Sequence, residues 1–248
     1  MAFDCYNAVS GNWLASSTTL AHGIGTGDFC VAGWFYPTAI GSGTFRALYS
    51  NGALATSFSM MATTGSAKFA AYYTDGAYNF DTTLTMNAWV HLAIRRSGTT
   101  ITGWVNGVQE ATTWSAYALS TGSIATATQY IGGADTSSYS ARANAAEVAL
   151  WAAAPSADEI KSLAKRRKPP DVRLAGLKAY WPLNREINER WSSNLTMTAQ
   201  NGTATYVDHV PLIEELGQFV SLTASGGGGG ATPWLYARRS ARIIGGAV

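Results

Sequence analysis

Side chains capable of acid–base or nucleophilic chemistry are few in this chain, and their spacing matches no common catalytic motif. The histidines, His22, His91 and His209, are far apart, and no G-x-S-x-G, H-E-x-x-H, C-x-x-C or phosphate-loop motif is present. Glycoside hydrolysis needs two carboxylates about 5–10 Å apart. The nearest acidic pair, Glu186 and Glu189, has a spacing that favours a structural, salt-bridging role. We therefore expect no catalytic residues and no enzymatic activity.

Aromatic side chains near predicted turns could bind sugars, because an aromatic ring can stack on the apolar face of a pyranose. The candidate glycan-stacking residues are Tyr72, Tyr73, Tyr78, Trp114, Tyr117 and Tyr139. Each of them could equally be a core or turn aromatic, since the sequence does not show where a ring points.

The C-terminal residues 225–248, SGGGGGATPWLYARRSARIIGGAV, have the composition of a tethered docking arm. Gly226–Gly230 would be flexible and entropically costly to order. Aromatic, apolar and arginine side chains like those beyond this run are enriched at protein interfaces. The candidate partner-interface residues are Trp234, Leu235, Tyr236, Arg238, Arg239, Arg242, Ile243 and Ile244. We expect this arm to bind a neighbouring subunit, because a nucleic-acid arm would be more densely basic and a membrane segment longer.

The overall composition is that of a strand-rich protein with an unusually uncharged surface. Charged residues make up 13% of the 248 residues, against about 25% in typical domains. The net charge of +2 is unevenly spread. Residues 1–157 carry 5 basic and 7 acidic side chains, whereas residues 158–248 carry 12 and 8. This excess is too small to indicate nucleic-acid binding.

The cysteines and the N-terminus indicate a protein made in the cytoplasm. Cys5 and Cys30 are too few for a disulfide scaffold. Two reduced thiols are expected, and a single bridge remains the alternative. The segment MAFDCYNAVSG lacks the basic and apolar regions of a signal peptide. No apolar run reaches the ~18 residues that span a membrane, so we expect no membrane partner.

Short alternating runs separated by turn residues predict an all-β fold. Asp75-Gly76 and Asn106-Gly107 each follow such a run, and both dipeptides are typical of tight β-hairpins. In the run 88–97, side chains alternate between two faces. His91 is therefore expected to be a packed strand residue rather than a base.

One segment has the signals of a helix, at about residues 156–168. Ser156 and Glu159 form a capping box at its start, and Pro169-Pro170 are expected to end it. Lys165–Lys168 would then lie in the last turn, where cations oppose the helix dipole. This basic cluster is either a solvated helix end or a contact surface for an acidic partner.

Several of these runs, in this order, resemble the laminin-G-like (concanavalin A-like lectin/glucanase) domains. The matching segments are FCVAGWFYP (29–37), the hairpin from Trp89 to Gly107, IGG (131–133), EVALW (147–151) and AYWPL (179–183). The resemblance covers roughly residues 1–210 and implies a two-sheet antiparallel jelly-roll sandwich with one short helix. Such a core would use Trp34, Trp89, Trp104, Trp151 and Trp181.

The resemblance also bears on metals and catalysis. Where the family often has Asp beside Glu in the late strand, this chain has Ala146 before Glu147, and no Asp/Asn cluster replaces it. Because calcium needs six to eight oxygen ligands, no metal or cofactor is expected. The E-x-D-x-x-E motif of the glucanase branch is also absent.

These features together predict a β-sandwich over residues 1–210 and a C-terminal extension over 211–248. Low charge, a lectin-like sandwich and a docking arm resemble the structural proteins of tailed bacteriophages. The resemblance implies a non-enzymatic virion protein, a capsid decoration or another surface component. Its partners would be capsid or tail subunits and its own copies. The alternative is a carbohydrate-binding or host-adhesion module of a phage tail or bacterial surface system, with a cell-surface glycan as partner.

Overall fold

The computed structural model describes most of the chain between residues 2 and 212. The described residues are 2–4, 13–39, 45–53, 58–63, 66–74, 76–115, 117–135, 139–185, 187–191, 195–200, 203, 205–208, 210 and 212. The docking-arm residues predicted from the sequence, together with Cys5, Glu186 and His209, lie outside them.

Within the described residues the structure is mostly β-strand. The strands are β1 (Ala2–Asp4), β2 (Trp13–Leu20), β3 (Phe29–Ala39), β4 (Phe45–Asn51), β5 (Phe58–Thr63), β6 (Lys68–Tyr73), β7 (Gly76–Thr83), β8 (Val90–Ser97), β9 (Thr100–Val105), β10 (Val108–Ser115), β11 (Ala127–Ile131), β12 (Arg142–Trp151), β13 (Leu177–Trp181), β14 (Met197–Gln200) and β15 (Thr205–Val207). The helices are α1 (Ala118–Thr121), α2 (Ala157–Ala164) and α3 (Pro169–Val172).

The strands form two antiparallel sheets, as the sequence predicted. One sheet has the order β10-β9-β8-β3-β12-β1-β15, with β13 also paired to β12, and we call it the eight-stranded sheet. The other, the seven-stranded sheet, has the order β14-β2-β11-β4-β5-β6-β7. The main apolar cluster contains buried residues of both sheets, such as Phe35, Phe58, Phe69 and Trp181. The fold is therefore an antiparallel sandwich.

The predicted hairpin turn at Asn106-Gly107 is present, and β6 and β7 pair antiparallel on either side of Asp75, which lies outside the described residues. Asn106 and Gly107 adopt positive φ values of 50° and 79° between β9 and β10, as a tight type I′ hairpin requires. Gly76 has a φ of 132° where β6 and β7 pair. A Cβ on Gly107 would lie 2.9 Å from the Ala164 Cβ, so this turn also needs glycine to pack against α2.

The helical content exceeds the single short helix that the sequence predicted. α2 begins with the expected capping box, because the Ser156 hydroxyl accepts from the Glu159 amide and the Glu159 carboxylate accepts from the Ser156 amide. It ends at Ala164 rather than near 168, since Arg166 adopts a left-handed φ of 69°. Pro169 opens the separate helix α3, because proline is favoured in a first helical turn. The helix α1 was not predicted.

The predicted tryptophan core is divided between two places. Trp181 lies between the sheets. Trp104 and Trp151 lie on the outer face of the eight-stranded sheet, in a second cluster covered by Ile160 and Leu163 of α2. Trp34 and the half-buried Trp89 belong to a third cluster on the same outer face. The outer face of this sheet therefore carries much of the aromatic packing.

Two carboxylates join the free edges of the sheets, where β10 and β7 lie side by side. Glu110 accepts hydrogen bonds from the Asp81 and Thr82 amides at 2.8 and 2.7 Å. Asp81 accepts from the Thr112 amide and hydroxyl at 2.8 and 2.7 Å. The Thr112 hydroxyl, followed by its amide, lowers the pKa of Asp81. Both edges thus have amides satisfied by side chains instead of by a further strand.

Cys30 is a buried free thiol in the cluster beneath α2, and burial raises its pKa to about 12. Among the described residues, none of the helices has the length and apolarity of a transmembrane segment.

Candidate functional site

A cleft of about 320 Å³ opens at one end of the seven-stranded sheet. Its wall combines the ends of β4, β5 and β6 with the segment that leads from α1 into β11. The lining residues are Asn51, Gly52, Ala53, Phe58, Tyr73, Ser123, Ile124, Ala125, Thr126 and Ala127. Phe58 and Ile124 are apolar and buried, whereas the exposed Ser123 and Thr126 carry hydroxyl groups. The cleft therefore offers both apolar contact and hydrogen bonding.

A buried hydrogen-bond network lies behind this cleft. The Asn51 side chain accepts from Gln129 Nε2 at 2.7 Å and donates to the Ala125 carbonyl at 2.9 Å. The Gln129 side-chain oxygen in turn accepts from the Tyr49 hydroxyl, and the Gln129 backbone amide donates to Ser16 Oγ. Because buried and fully paired polar groups rigidify their surroundings, this network holds the wall of the cleft in one conformation.

His22 belongs to the same network as a neutral imidazole. Its Nδ1 accepts from the Ile24 amide at 3.1 Å, so Nε2 carries the hydrogen and donates to the Ala125 carbonyl and Asn51 Oδ1. Burial lowers the pKa of His22. His22 thus connects two cleft residues to each other.

Arg96 fixes the segment that carries half of the cleft. Its guanidinium is fully buried and donates to the carbonyls of Gly25, Gly27, Leu119 and Gly122 at 2.5–3.1 Å. The Phe29 ring lies 5.0 Å from the Arg96 Cζ. A planar guanidinium has enough donors to bind several carbonyls at once. Arg96 therefore ties the turn at 25–27 to the segment 119–122.

The structure separates the six predicted glycan-stacking residues into three places. Tyr73 lines the cleft, and its hydroxyl donates to the Ser123 carbonyl at 2.9 Å. Tyr78, Trp114 and Tyr117 form a cluster of edge-to-face rings with centroids 5.4–5.6 Å apart. Of these three, Tyr78 is buried and Tyr117 is 48% exposed. Tyr117 is not among the residues that line the cleft.

Tyr72 and Tyr139 lie elsewhere, on the outer face of the seven-stranded sheet. They are half-buried and pack with Phe45 around a cluster of buried small side chains and Met61. The Phe45 and Tyr72 centroids are 5.4 Å apart. Tyr72 neighbours Tyr73 along β6, so the two rings point to opposite faces of the sheet.

Two side chains that were considered as catalytic groups, His91 and Glu189, are buried among residues of the fold. His91 is buried against Trp34, with ring centroids 5.4 Å apart, and burial lowers its pKa to about 3. Glu189 is buried and accepts from the Tyr180 and Trp191 amides at 3.0 and 2.5 Å. Over the described ranges, no group of three His, Cys, Asp or Glu side chains is placed to hold a metal ion.

Sequence reasoning found the cleft only through Tyr73. Asn51, Gln129 and Arg96 were missed, because the partners described above lie 23 to 113 residues away from them in the sequence. The one available signal was the alternation in β8, which places Arg96 on the same face as the core residues Val90, Leu92 and Ile94. An arginine on a core-facing position indicates a buried cation with a fixed set of acceptors.

Comparisons with known proteins agree with this architecture. A sequence model of the Laminin_G_3 family, described as the concanavalin A-like lectin/glucanases superfamily, matches residues 10–161. No curated protein matches the sequence.

Solved structures with the same fold include three that differ widely in kind. A proposed carbohydrate-binding protein of Bacteroides ovatus is 15% identical, with a TM-score of 0.64 over 86% of this chain. The present chain covers 61% of that protein. A heptameric SAP-like pentraxin of Limulus polyphemus is 14% identical, with a TM-score of 0.58, and 81% of this chain covers 91% of it. A sialidase of Trypanosoma rangeli is 14% identical, with a TM-score of 0.50, and 64% of this chain covers 26% of it.

At these identities the similar structures establish the fold alone, whereas the family match spans more than half of the sequence. The two-sheet topology and that match lead to the same conclusion: the chain belongs to the concanavalin A-like lectin/glucanase superfamily.

Proposed function

We propose that this protein is a non-catalytic carbohydrate-binding module of the kind that serves adhesion to a cell surface. The observation that carries the proposal is the braced cleft between Phe58, Tyr73 and the segment 123–127. Its volume of about 320 Å³ lies at the lower end of the range for small-molecule sites, about 300–1,000 Å³. This size suits one or two sugar rings.

The chemistry of the cleft supports a neutral, hydroxyl-rich ligand. Its lining contains two aromatic rings, one isoleucine and three alanines, the hydroxyl groups of Ser123 and Thr126, the Asn51 amide and backbone groups, and none of the ten residues is charged. A pyranose presents the same mixture, with an apolar face and a rim of hydroxyl groups. Because no carboxylate lines the cleft, the acid and nucleophile of a glycosidase are not among its wall residues. Binding without hydrolysis therefore fits the geometry.

Bracing of the wall also supports binding. Arg96, His22 and Asn51 hold the segment that carries Ser123, Ile124 and Ala125 before any ligand arrives. A prearranged site avoids the free-energy cost of ordering a loop on binding. The B. ovatus protein, described as a proposed carbohydrate-binding protein, has the same fold. Because the cleft of the present chain is prearranged, we extend carbohydrate binding to it as part of this proposal.

The test is a glycan array followed by calorimetry on the best glycan. Thr126→Trp places a large ring in the cleft from an exposed position, so we expect the affinity to fall at least about tenfold, or about 1.4 kcal/mol. Thr113→Trp is the matched control, because Thr113 is exposed on β10 and is not among the lining residues. Equal binding by Thr126→Trp and the wild type would reject the cleft as the site.

The second candidate function is a bacteriophage virion component, a capsid decoration or another surface protein. It rests on the composition of residues 225–248, which lie outside the described part of the chain. In this proposal the sandwich is the displayed body, and residues Trp234–Ile244 bind capsid or tail subunits or another copy of the chain. The two proposals are compatible, since a virion surface protein can also bind a host glycan.

A further inference from the structure

The end of helix α2 carries a basic surface that the proposed function does not use. Lys165, Arg166 and Arg167 follow α2 directly, and all three side chains are exposed. Between residues 158 and 178 the chain has seven basic and three acidic side chains, a net charge of +4. Because the whole chain has a net charge of +2, the rest of it carries −2. Positive charge is therefore concentrated in this segment.

Little of this charge is neutralised within the folded chain. Two of the three acidic side chains, Asp158 and Glu159, are in ion pairs at 3.2 and 3.0 Å with other basic residues of the segment. The side chains of Lys165 and Arg166 make no hydrogen bond or ion pair with any described residue. These two cations are therefore available to an anionic group from outside.

The backbone at Arg166 has a conformation that favours glycine. Its φ is 69°, and helices commonly end with glycine at such a left-handed position because other side chains are disfavoured there. The Arg166 and Arg167 amides donate to the Leu163 and Ser162 carbonyls at 2.9 and 3.4 Å, so the end of the helix fixes this conformation. An arginine held in an unfavourable backbone conformation at an exposed position indicates a role for its side chain.

An exposed apolar side chain lies beside the basic residues. Val108, at the start of β10, is 69% exposed, the highest fraction among the large apolar side chains that the structure describes. The preceding Gly107 packs against the last turn of α2, where its Cβ would lie 2.9 Å from the Ala164 Cβ. Val108 and Lys165 are the next residues of the two segments, so their Cα atoms are at most about 14 Å apart. One short peptide can therefore contact both.

We propose that Lys165, Arg166, Arg167 and Val108, which we call the α2-end patch, form a docking site for an acidic segment of a partner protein that also carries an apolar side chain. Carboxylates of the partner pair with the three cations, and its apolar side chain covers Val108. Arginine is enriched at protein interfaces together with apolar groups, and its planar guanidinium matches the geometry of a carboxylate. A nucleic acid or a sulfated polysaccharide presents negative charge without an aliphatic side chain for Val108.

The test uses the full-length protein in which Arg238, Arg239 and Arg242 are replaced by Ser, so that the basic residues near the C-terminus do not bind the probes. The probes are two fluorescein-labelled peptides, EELEELEE and EESEESEE, which have equal charge and differ in two leucines. Fluorescence anisotropy is measured at about 150 mM NaCl, where distant surface charges are largely screened. We expect EELEELEE to bind at least about fivefold more tightly than EESEESEE, and Val108→Ser to remove that difference.

Arg166→Gly separates binding from stability. We expect it to weaken the binding of EELEELEE at least about threefold and to keep or raise the Tm, because glycine suits the left-handed backbone. Arg185→Gly is the matched control, since Arg185 is exposed and has a φ of 59°. Arg185 follows β13, which lies four strand spacings, about 19 Å, from β9 in the sheet. This control should leave the affinity unchanged.

Several results would overturn the proposal. Absence of binding by both peptides, or equal affinity for the two, would reject an acidic and apolar partner. Equal effects of Arg166→Gly and Arg185→Gly would show that the peptides respond to overall charge and not to the α2-end patch. Tighter binding of a short DNA duplex or of heparin than of EELEELEE would assign the patch to a polyanion instead. A fall in Tm in Arg166→Gly would mean that Arg166 serves the fold.

Discussion

Two buried histidines give this protein a dependence on pH at the scale of single residues. His22 and His91 are both neutral in the folded state, and burial lowers the pKa of each below its ordinary value. In the unfolded chain each would take up a proton below pH about 6.5. Folding therefore excludes protons that the unfolded state binds, so acid favours unfolding.

We predict that the free energy of unfolding falls as the pH drops from about 6.5 towards the folded-state pKa of His91, about 3. Each buried histidine contributes a slope of up to about 1.4 kcal/mol per pH unit. His91→Phe should reduce the slope by its own share. Urea unfolding at several pH values between about 7 and 4 measures this.

The wild type serves as the comparison for His91→Phe in identical buffers, because carboxylates that titrate in the same range then contribute equally to both proteins. An unchanged slope in the variant would show that His91 is protonated in the folded state, or that it does not titrate at all in the unfolded chain.

The sequence predicts which strand residues are buried better than it predicts their hydrogen-bond partners. Packing of His91 could be predicted, because alternation along one strand places its side chain. The buried partners of Arg96 and Gln129 could not, because their acceptors and donors lie on segments that approach only in the folded sandwich. A cation that binds carbonyls also leaves no complementary charge in the sequence to indicate its partner.

At the scale of elements, helix α2 is stabilised by a local motif and a longer contact. The capping box joins Ser156 and Glu159, and Glu159 also binds Arg173 at 3.0 and 3.1 Å. Ile160 and Leu163 are buried against the eight-stranded sheet. The first turn of α2 therefore caps the helix and, through Glu159, also binds it to Arg173.

We predict that Ser156→Ala lowers the free energy of unfolding by about 1 kcal/mol, the usual cost of a lost N-cap side chain. Ser162→Ala is the matched control. Ser162 is half-buried in the same helix and donates to the Asp158 carbonyl, and alanine has the higher helix propensity there. Chemical denaturation compares the two, and equal stability of both variants would argue against a role for the cap.

Elements with short-range signals were the predictable ones. The turn at Asn106-Gly107 and the start of α2 depend on residues within four positions of each other. The early end of α2 could not be foreseen, because Arg166 is not a residue type that marks a left-handed backbone. The helix α1 has only four residues, too few for a periodic pattern.

At the scale of the whole molecule, the described strands of both sheets all lie between Ala2 and Val207. If the arm serves assembly, its loss should affect association and leave folding unchanged. Family membership could be predicted from the order of five short segments, whereas the cleft depends on how distant ends of strands meet.

We predict that a chain ending at Ser225 retains the Tm of the full-length protein and loses its association with itself or with particles. Analytical ultracentrifugation and incorporation into the native assembly measure these two properties. A variant with Arg238, Arg239 and Arg242 changed to Ser keeps the length of the chain and tests the basic side chains by themselves. Normal assembly by the truncated chain would rule out the docking arm.

The pairing of β3 has a consequence for the order in which the protein folds on the ribosome. Trp34 is opposite Ala146, so β3 must wait for about a hundred further residues before its second partner is synthesised. The first strand, β1, pairs with the last, β15, and β2 pairs with β14. Because contacts so distant in sequence form slowly, neither sheet is complete until about the first 200 of the 248 residues have left the exit tunnel. The domain therefore forms as one late event, and a prematurely released chain has unpaired strands that invite aggregation.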